Sequence, residues 1–198
     1  MQNNRHNQAI VLASSSPYRR ELLARLQLSF TSESPDIDET GYSDKPAEQQ
    51  VVLLATEKAR KIAAKYPGSL IIGSDQVAVL GDEILNKPGC HENAVIQLQK
   101  ASNEKVVFYT GLCVLNTITN TVQTGTIPVT VKFRKIDLEE IERYLVKDQP
   151  YNCAGSFKSE GLGISLLEYI KGDDPTALIG LPLVRLAAML RNEGIDIP

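Results

Sequence analysis

A short apolar run, a serine-rich turn and a helix start follow one another early in the chain, in the stretch AIVLASSSPYRRELLARL. The run at residues 9–13 predicts a buried strand. Ser16 predicts the N-cap of a helix, and Pro17 predicts its first residue. This strand–turn–helix unit is the first of several alternations between strand and helix, which together predict an α/β fold.

Two arginines lie in the first turn of this predicted helix, where the positive end of the helix dipole disfavours cations. Arg19 even holds the position at which a capping box would place Glu or Gln. A bound anion would explain the pair, because helix N–H groups, hydroxyls and arginines together make a phosphate cradle. The alternative is that Arg19 and Arg20 extend into water, and the pattern alone leaves both interpretations open.

The rest of the chain continues the alternation and then becomes rich in strands. Further helices are predicted at 46–65, 91–101, 138–147 and 182–192. Further strands are predicted at 28–33, 69–80 (interrupted by Gly73), 105–117, 121–136 and 163–170. We therefore expect an α/β fold with a mixed twisted sheet and flanking helices, in one domain over residues 1–198 that begins with a polar tail at residues 1–8.

Composition limits the classes of function. The 198 residues are 42% hydrophobic and 23% charged, with a formal net charge of −3. This balance argues against a broad nucleic-acid-binding surface, although a local cluster of cations could still bind a small anion. No apolar run is long enough to span a membrane, and Cys90, Cys113 and Cys153 match no disulfide or zinc pattern. We expect a cytoplasmic protein that binds neither membrane nor stable nucleic acid.

Histidine chemistry is almost excluded, because the chain has only His6, in the polar tail, and His91. A general base would therefore be Asp, Glu or Lys, and a metal would be a hard cation held by carboxylates. Asp75 follows an apolar run, where a carboxylate is either paired structurally or used in chemistry. Glu39 lies in an acidic loop, where an exposed, solvated carboxylate is the simpler interpretation.

Several lysines add to the candidate site. Lys58 falls on the apolar stripe of its predicted helix, where it either extends along the edge of the core or points into a cleft. Lys87 precedes Pro88, and Lys158 and Glu160 lie in a glycine-bracketed turn that suits a ligand or simply a tight turn. An anion cradle, lysines and isolated carboxylates without histidine suit metal-assisted attack of water on a phosphoanhydride.

The order of the short motifs resembles one family. LASSSPYRRELL, DIDET, TEKAR, IIGSDQV, NKPG, CAGSFKSEGLG and IGLPL follow one another as in the Maf family of nucleoside triphosphate pyrophosphatases, over residues 9–192. The resemblance implies two lobes around a central cleft, as in Maf and Ham1 proteins, and often a homodimer. It also implies cleavage of a nucleoside triphosphate to a monophosphate and pyrophosphate with a divalent cation, Mg²⁺ or Mn²⁺.

The resemblance also assigns roles to individual residues. Asp75 matches the family's proton acceptor, and Glu39 with Asp75 matches its acidic pair on the metal side. The phosphate-binding set is matched by Ser14, Arg19, Lys58 and Lys87.

Three further positions separate the branches of the family. The branch that acts on dTTP and UTP has Arg, Thr and Gln, whereas this chain has Tyr18, Gln76 and Glu160. These resemble the branch that acts on 7-methyl-GTP, although that branch has Trp where Tyr18 stands. An aromatic ring could stack on the cationic methylated base, and Glu160 could accept from its N–H groups. The alternatives are dTTP, UTP or another modified nucleotide as substrate, or a nucleotide-binding regulator of septum formation.

Overall fold

One mixed sheet organises the protein. The computed structural model describes residues 8–42 and 44–198. Its strands are β1 (Ala9–Ala13), β2 (Phe30–Glu33), β3 (Ser69–Leu80), β4 (Glu83–Leu85), β5 (Lys105–Asn116), β6 (Thr121–Phe133) and β7 (Leu167–Lys171). They form the order β2-β1-β3-β5-β6-β7, and β4 pairs with β3. β1 is parallel to β2 and β3, while the other ladders are antiparallel, which confirms the predicted mixed sheet.

Five helices flank this sheet in the described part of the chain. They are α1 (Pro17–Ala24), α2 (Ala47–Ala63), α3 (His91–Ala101), α4 (Leu138–Asp148) and α5 (Leu183–Asn192). Their bounds lie within two residues of the predicted ones. None of the helices among the described residues combines the length and hydrophobicity needed to cross a bilayer. The predicted polar tail, including His6, lies outside the described residues except for Gln8.

The predicted interruption of β3 at Gly73 is wrong, because the strand runs unbroken through it. A Cβ at Gly73 would lie 2.0 Å from the carbonyl oxygen of Ala55, and one at Gly111 would lie 2.1 Å from that of Val51. Both carbonyls belong to α2, which therefore crosses β3 and β5 in backbone contact. The glycine is a point of close helix–sheet approach, and the strand itself needs no break.

The strand predicted at 163–170 is wrong in its first half. Residues Leu162–Leu166 form a 3₁₀ turn, and only Leu167–Lys171 pair with β6. A Cβ at Gly163 would lie 2.4 Å from the carbonyl oxygen of Lys158. The chain therefore folds back tightly on residue 158 before it enters the sheet, a geometry that apolar patterning does not report.

Buried side chains form three clusters around the sheet. One joins α1 and α5 to one face, and a second joins α2 to the opposite face. The third lies at the other end of the sheet, among α3, α4 and the far halves of β3, β5 and β6. A cleft opens between the end of the sheet that carries the start of α1 and the third cluster, which agrees with the predicted two lobes around a central cleft. The assignment of residues 1–198 to a single domain stays a prediction.

Candidate active site

The cleft has a volume of about 520 Å³ and collects most of the predicted site residues. It is lined from one side by the end of β1, the start of α1 and the loop at 34–39, and from the other by residues 152–160. The predicted site residues that line it are Ser14, Tyr18, Arg19, Glu39, Lys58, Gln76, Lys87 and Glu160. Asp75 is not among the lining residues but contacts one of them, Lys58.

The start of α1 forms the predicted cradle. Ser16 is the N-cap, and its Oγ accepts a hydrogen bond from the backbone N–H of Arg19 at 3.4 Å. Ser14 is buried, and its Oγ accepts from the backbone N–H of Ser16 at 3.1 Å. The first turn contains no acidic residue. The serines thus fix the helix end that opens into the cleft, with its positive dipole uncompensated by any acid of its own.

Arg19 is held in place by the far end of the chain. Its Nε donates to the carbonyl oxygen of Gly180 at 2.8 Å, and Gly180 adopts a φ of +117°. Burial lowers the pKa of the guanidinium, while Asp75 and Glu39 act in the opposite direction. Even a lowered value leaves an arginine charged at neutral pH. Arg19 therefore presents a fixed, partly desolvated cation to the cleft.

Lys58 joins the two predicted acids. Its Nζ lies 2.5 Å from Oδ1 of Asp75 and 2.7 Å from Oε1 of Glu39. Lys58 and Asp75 are each 7% exposed, whereas the side chain of Glu39 is half exposed. Lys58 was predicted to bind phosphate; in the structure its ammonium is shared by two carboxylates. The three residues form a charged triad at the floor of the cleft.

Close packing of α2 on the sheet brings this triad together. Lys58 follows Ala55 by one helical turn's spacing, and Ala55 is the residue whose carbonyl touches Gly73. Asp75 lies two residues after Gly73 on β3 and pairs across the ladder with Gly111, the second glycine beneath α2. The two glycines that let α2 pack closely on the sheet therefore also bring Lys58 within contact distance of Asp75.

The loop acid Glu39 responds to the surrounding cations. Burial raises the pKa of this carboxyl group, but the hydrogen bond from Lys58 and the charges of Lys58, Lys87 and Arg19 more than offset that effect. Its pKa is therefore lowered from the ordinary value. Three cations and an ionised acid thus face one cavity.

Gln76 is fixed at the boundary of the cleft. Its Nε2 donates to the carbonyl oxygens of Ala177 at 2.8 Å and Leu178 at 3.1 Å, and to Oγ1 of Thr110 at 2.9 Å. Because carbonyl oxygens only accept, the amide nitrogen must point toward them. Gln76 is left with its amide oxygen, an acceptor, to offer to a ligand.

Tyr18 and Glu160 approach the cleft from opposite sides. The half-buried ring of Tyr18 comes from α1. Glu160 is exposed on the loop after α4, and its Oε2 accepts from Oγ of Ser159 at 3.3 Å. An aromatic face and a carboxylate therefore border the same space, with Gln76 beside them.

Two residues with a part in this geometry, Ser74 and Asp174, were missed by the sequence analysis, and a third, Lys158, was noted in the glycine-bracketed turn without a role of its own. Lys158 places its Nζ 5.5 Å from the centroid of the Tyr18 ring. The buried Oγ of Ser74 contacts the carbonyl oxygen of Gly180 at 2.9 Å. Asp174, 3% exposed, accepts from the backbone N–H of Val184 at 2.8 Å and so fixes the start of α5. Ser74 and Asp174 had no signal in the sequence pattern, whereas Lys158 stood out by its place in the turn with Glu160.

The acids offer a limited set of metal donors. No group of three or more His, Cys, Asp or Glu side chains that could hold a metal occurs within residues 8–42 and 44–198. Glu39 and Asp75 nevertheless direct oxygens at one cation position, which Lys58 Nζ takes here. Two carboxylate oxygens suit Mg²⁺, which commonly completes its shell with water and substrate phosphate.

A mixed sheet with flanking helices, and a cleft that joins a helix N-terminus, three cations and two acids, define an α/β protein with a candidate anion site. The chain matches the Maf-like protein family over residues 9–193 and belongs to that family, which confirms the resemblance seen in its motifs.

Individual relatives are similar over almost their full length. The chain is 54% identical to the 7-methyl-GTP pyrophosphatase of Nitrosococcus oceani, over 95% of this chain and 94% of that protein. It is 55% identical to the 7-methyl-GTP pyrophosphatase of Pseudomonas savastanoi pv. phaseolicola, over 96% and 99% respectively. Among solved structures, the Staphylococcus aureus Ham1 protein aligns with a TM-score of 0.46 and 15% identity, over 64% of this chain and 72% of that one.

Proposed function

We propose that the protein is a nucleotide pyrophosphatase that hydrolyses 7-methyl-GTP to 7-methyl-GMP and pyrophosphate. The observation that carries this proposal is the single cleft that contains Arg19, Lys58, Lys87 and Glu39, with Asp75 hydrogen-bonded to Lys58 at 2.5 Å. Curated relatives at 54–55% identity that are named for this activity support the choice of substrate.

Phosphate binding would use the cradle and the cations. The N-terminal end of α1 and the hydroxyl of Ser14 would receive one phosphate, while Arg19 and Lys87 neutralise the rest of the chain of phosphates. Negative charge grows on the leaving pyrophosphate as the bond breaks. Fixed cations in a partly desolvated cleft stabilise that charge more strongly than water does.

Asp75 would act as the general base. Its carboxylate accepts a proton from a water molecule, whose oxygen attacks the α-phosphorus. The bond from that phosphorus to the oxygen of the β-phosphate breaks, and its electron pair leaves with pyrophosphate. Lys58 fixes the carboxylate at the floor of the cleft, so that the base is already positioned when substrate arrives.

A divalent cation would be held by Glu39 and Asp75, whose oxygens converge on one position. When bound, it would supply additional neutralisation of the phosphate oxygens. Because the ammonium of Lys58 contacts the same two carboxylates, binding of a cation there requires Lys58 to release at least one of them. A released Lys58 is then available to phosphate, which is the role that the family resemblance gives it.

Recognition of the base would use the three remaining residues. The 7-methylguanine ring carries a positive charge, and the face of Tyr18 attracts a cation. The carboxylate of Glu160 and the amide oxygen of Gln76 are acceptors, which match the N–H donors on the edge of guanine. Glu160 also supplies negative charge that a glutamine at this position would lack.

The test is analysis of the phosphate products over a panel of 7-methyl-GTP, GTP, dTTP and UTP, with and without Mg²⁺. We expect pyrophosphate release to be fastest with 7-methyl-GTP and to need the cation. Faster turnover of dTTP or UTP would move the protein to the other branch of the family. Tight nucleotide binding without turnover would indicate a nucleotide-binding regulator and not an enzyme. A cytoplasmic location and a homodimer remain predictions.

A further inference from the structure

A lysine rests on the aromatic ring that borders the base end of the cleft. Nζ of Lys158 lies 5.5 Å from the centroid of the Tyr18 ring. Tyr18, Phe157 and Ser159 line the cleft, but Lys158 is not among the lining residues. Its ammonium therefore contacts a ring that borders the cavity, without lining the cavity itself. Attraction between the cation and the ring holds the two together.

The backbone of Lys158 is itself fixed against α4. Its N–H donates to the hydroxyl of Tyr144 at 3.0 Å. A Cβ at Gly161 would lie 2.6 Å from Oδ2 of Asp148, so the loop packs directly on the end of that helix. The side chain of Lys158 thus extends toward α1 from a rigid base, and the contact with Tyr18 joins the two sides of the cleft.

The charges around Lys158 favour its ammonium form. Burial lowers the pKa of Lys158, but Tyr18, Asp148 and Glu160 together more than offset that effect, so the pKa is raised. Oδ2 of Asp148 is buried and has no hydrogen-bond partner among the described residues. The raised pKa therefore keeps the lysine a cation at neutral pH, with Asp148 and Glu160 as nearby acids.

We infer that Lys158 is a positioning residue for base recognition: it ties the loop that carries Glu160 to the helix that carries Tyr18. The inference rests on the proposed function, because it gives Tyr18 and Glu160 the base as their common ligand. Lys158 and Glu160 are two residues apart on one loop, so the lysine sets the separation between stacking ring and acid. It acts through these two side chains and touches no reacting atom.

The experiment compares Lys158→Met, Lys158→Arg and the control Lys147→Met, which removes an exposed lysine from α4. For each variant, kcat and KM are measured with 7-methyl-GTP, together with inhibition by the two products. Lys158→Met should raise KM about fivefold and weaken inhibition by 7-methyl-GMP to the same extent, the scale of one cation–π contact. Inhibition by pyrophosphate and kcat should stay within about twofold of wild type. Lys158→Arg should restore wild-type values, because a guanidinium also packs on a ring.

Two outcomes would overturn the inference. If Lys158→Met weakens inhibition by pyrophosphate as much as by 7-methyl-GMP, the lysine binds phosphate instead. If its KM equals that of wild type and of Lys147→Met, the contact has no part in base recognition. Absence of pyrophosphate release by the wild-type protein would reject the proposed function instead. In that case calorimetric binding of 7-methyl-GMP to wild type and Lys158→Met decides the role of Lys158 separately.

Discussion

Lys58 of α2 and Asp75 of β3 form a buried ion pair in which Nζ lies 2.5 Å from Oδ1. A buried charge is stable only when it is paired, so each partner depends on the other. Glu39 shares the same ammonium from the half-exposed side, at 2.7 Å. The pair therefore supports the folded state and holds the proposed base, and substitutions in it separate these two roles.

Asp75→Asn should lower kcat by at least about 100-fold, the scale of losing a general base, because an amide cannot take a proton from water. The measurement is the rate of pyrophosphate release from saturating 7-methyl-GTP. The matched control is Asp82→Asn, which alters an exposed acid in the turn after β3 and should turn over normally. Near-normal turnover of Asp75→Asn would show that another group activates the water.

Lys58→Met should reduce the free energy of unfolding by about 3 kcal/mol, because it leaves the carboxylate of Asp75 buried and unpaired. Urea denaturation of the variant and of Lys61→Met, which alters an exposed lysine of the same helix, measures the difference. The double variant with Asp75→Asn should recover part of the loss, since the uncompensated charge is gone. Equal stability of Lys58→Met and Lys61→Met would contradict a structural role for the pair.

Stability should fall in acid partly through Glu39. Its folded pKa lies below its ordinary value of 4.5, so the ionised form stabilises the folded state. That contribution is present above the unfolded pKa and is lost as the pH falls through the folded pKa. We expect wild type to be more stable than Glu39→Gln at pH 7 and the difference in stability to shrink as the pH falls below the ordinary pKa of 4.5. A difference in stability that grows as the pH falls would contradict the lowered pKa assigned to Glu39.

Glu160→Gln should lower kcat/KM for 7-methyl-GTP more than for UTP, by about tenfold in the ratio of the two values. The glutamine keeps one acceptor but loses the negative charge that faces the cationic base. Side-by-side kinetics with the two nucleotides gives the ratio, and Glu168→Gln on β7 serves as an exposed control. An equal loss on both substrates would remove Glu160 from base recognition.

Gly73→Ala should destabilise the protein by about 3 kcal/mol, because its Cβ would meet the carbonyl of Ala55 at 2.0 Å and push α2 off the sheet. The shift would also draw Lys58 away from Asp75, so kcat should fall with stability. Gly41→Ala is the control, since a Cβ there meets nothing within 4 Å. Thermal melts and turnover of the two variants test both effects together.

Much of the fold was predictable from local pattern. The N-cap Ser16, Pro17 and the apolar run before them predicted α1 and β1 correctly, because capping and periodicity act over a few residues. Gly73 was misread as a break in its strand because its cause, a carbonyl of α2, lies far away in the sequence. The 3₁₀ turn at Leu162–Leu166 was missed for another reason: it depends on the close approach of Gly163 to the backbone of Lys158, which apolar patterning does not report.

The sequence named the residues of the candidate site, but the contacts between them could not be predicted from it. Lys58 stood out on an apolar stripe, yet periodicity could not tell extension into solvent from pairing with Asp75. Placement of the acids and cations in one cleft followed from the motif order and the family resemblance. The Tyr18–Lys158 contact depends on two segments that meet only in the folded chain, so no local sequence pattern predicts it.

The hydrogen bond from Arg19 to the carbonyl of Gly180 joins residues 161 positions apart. During synthesis, the arginine emerges long before its acceptor exists. The anion site is therefore completed only when the segment before α5 docks beside α1. Premature termination upstream of Gly180 would therefore remove the tether of the arginine and also α5, which packs with α1 on the same face of the sheet.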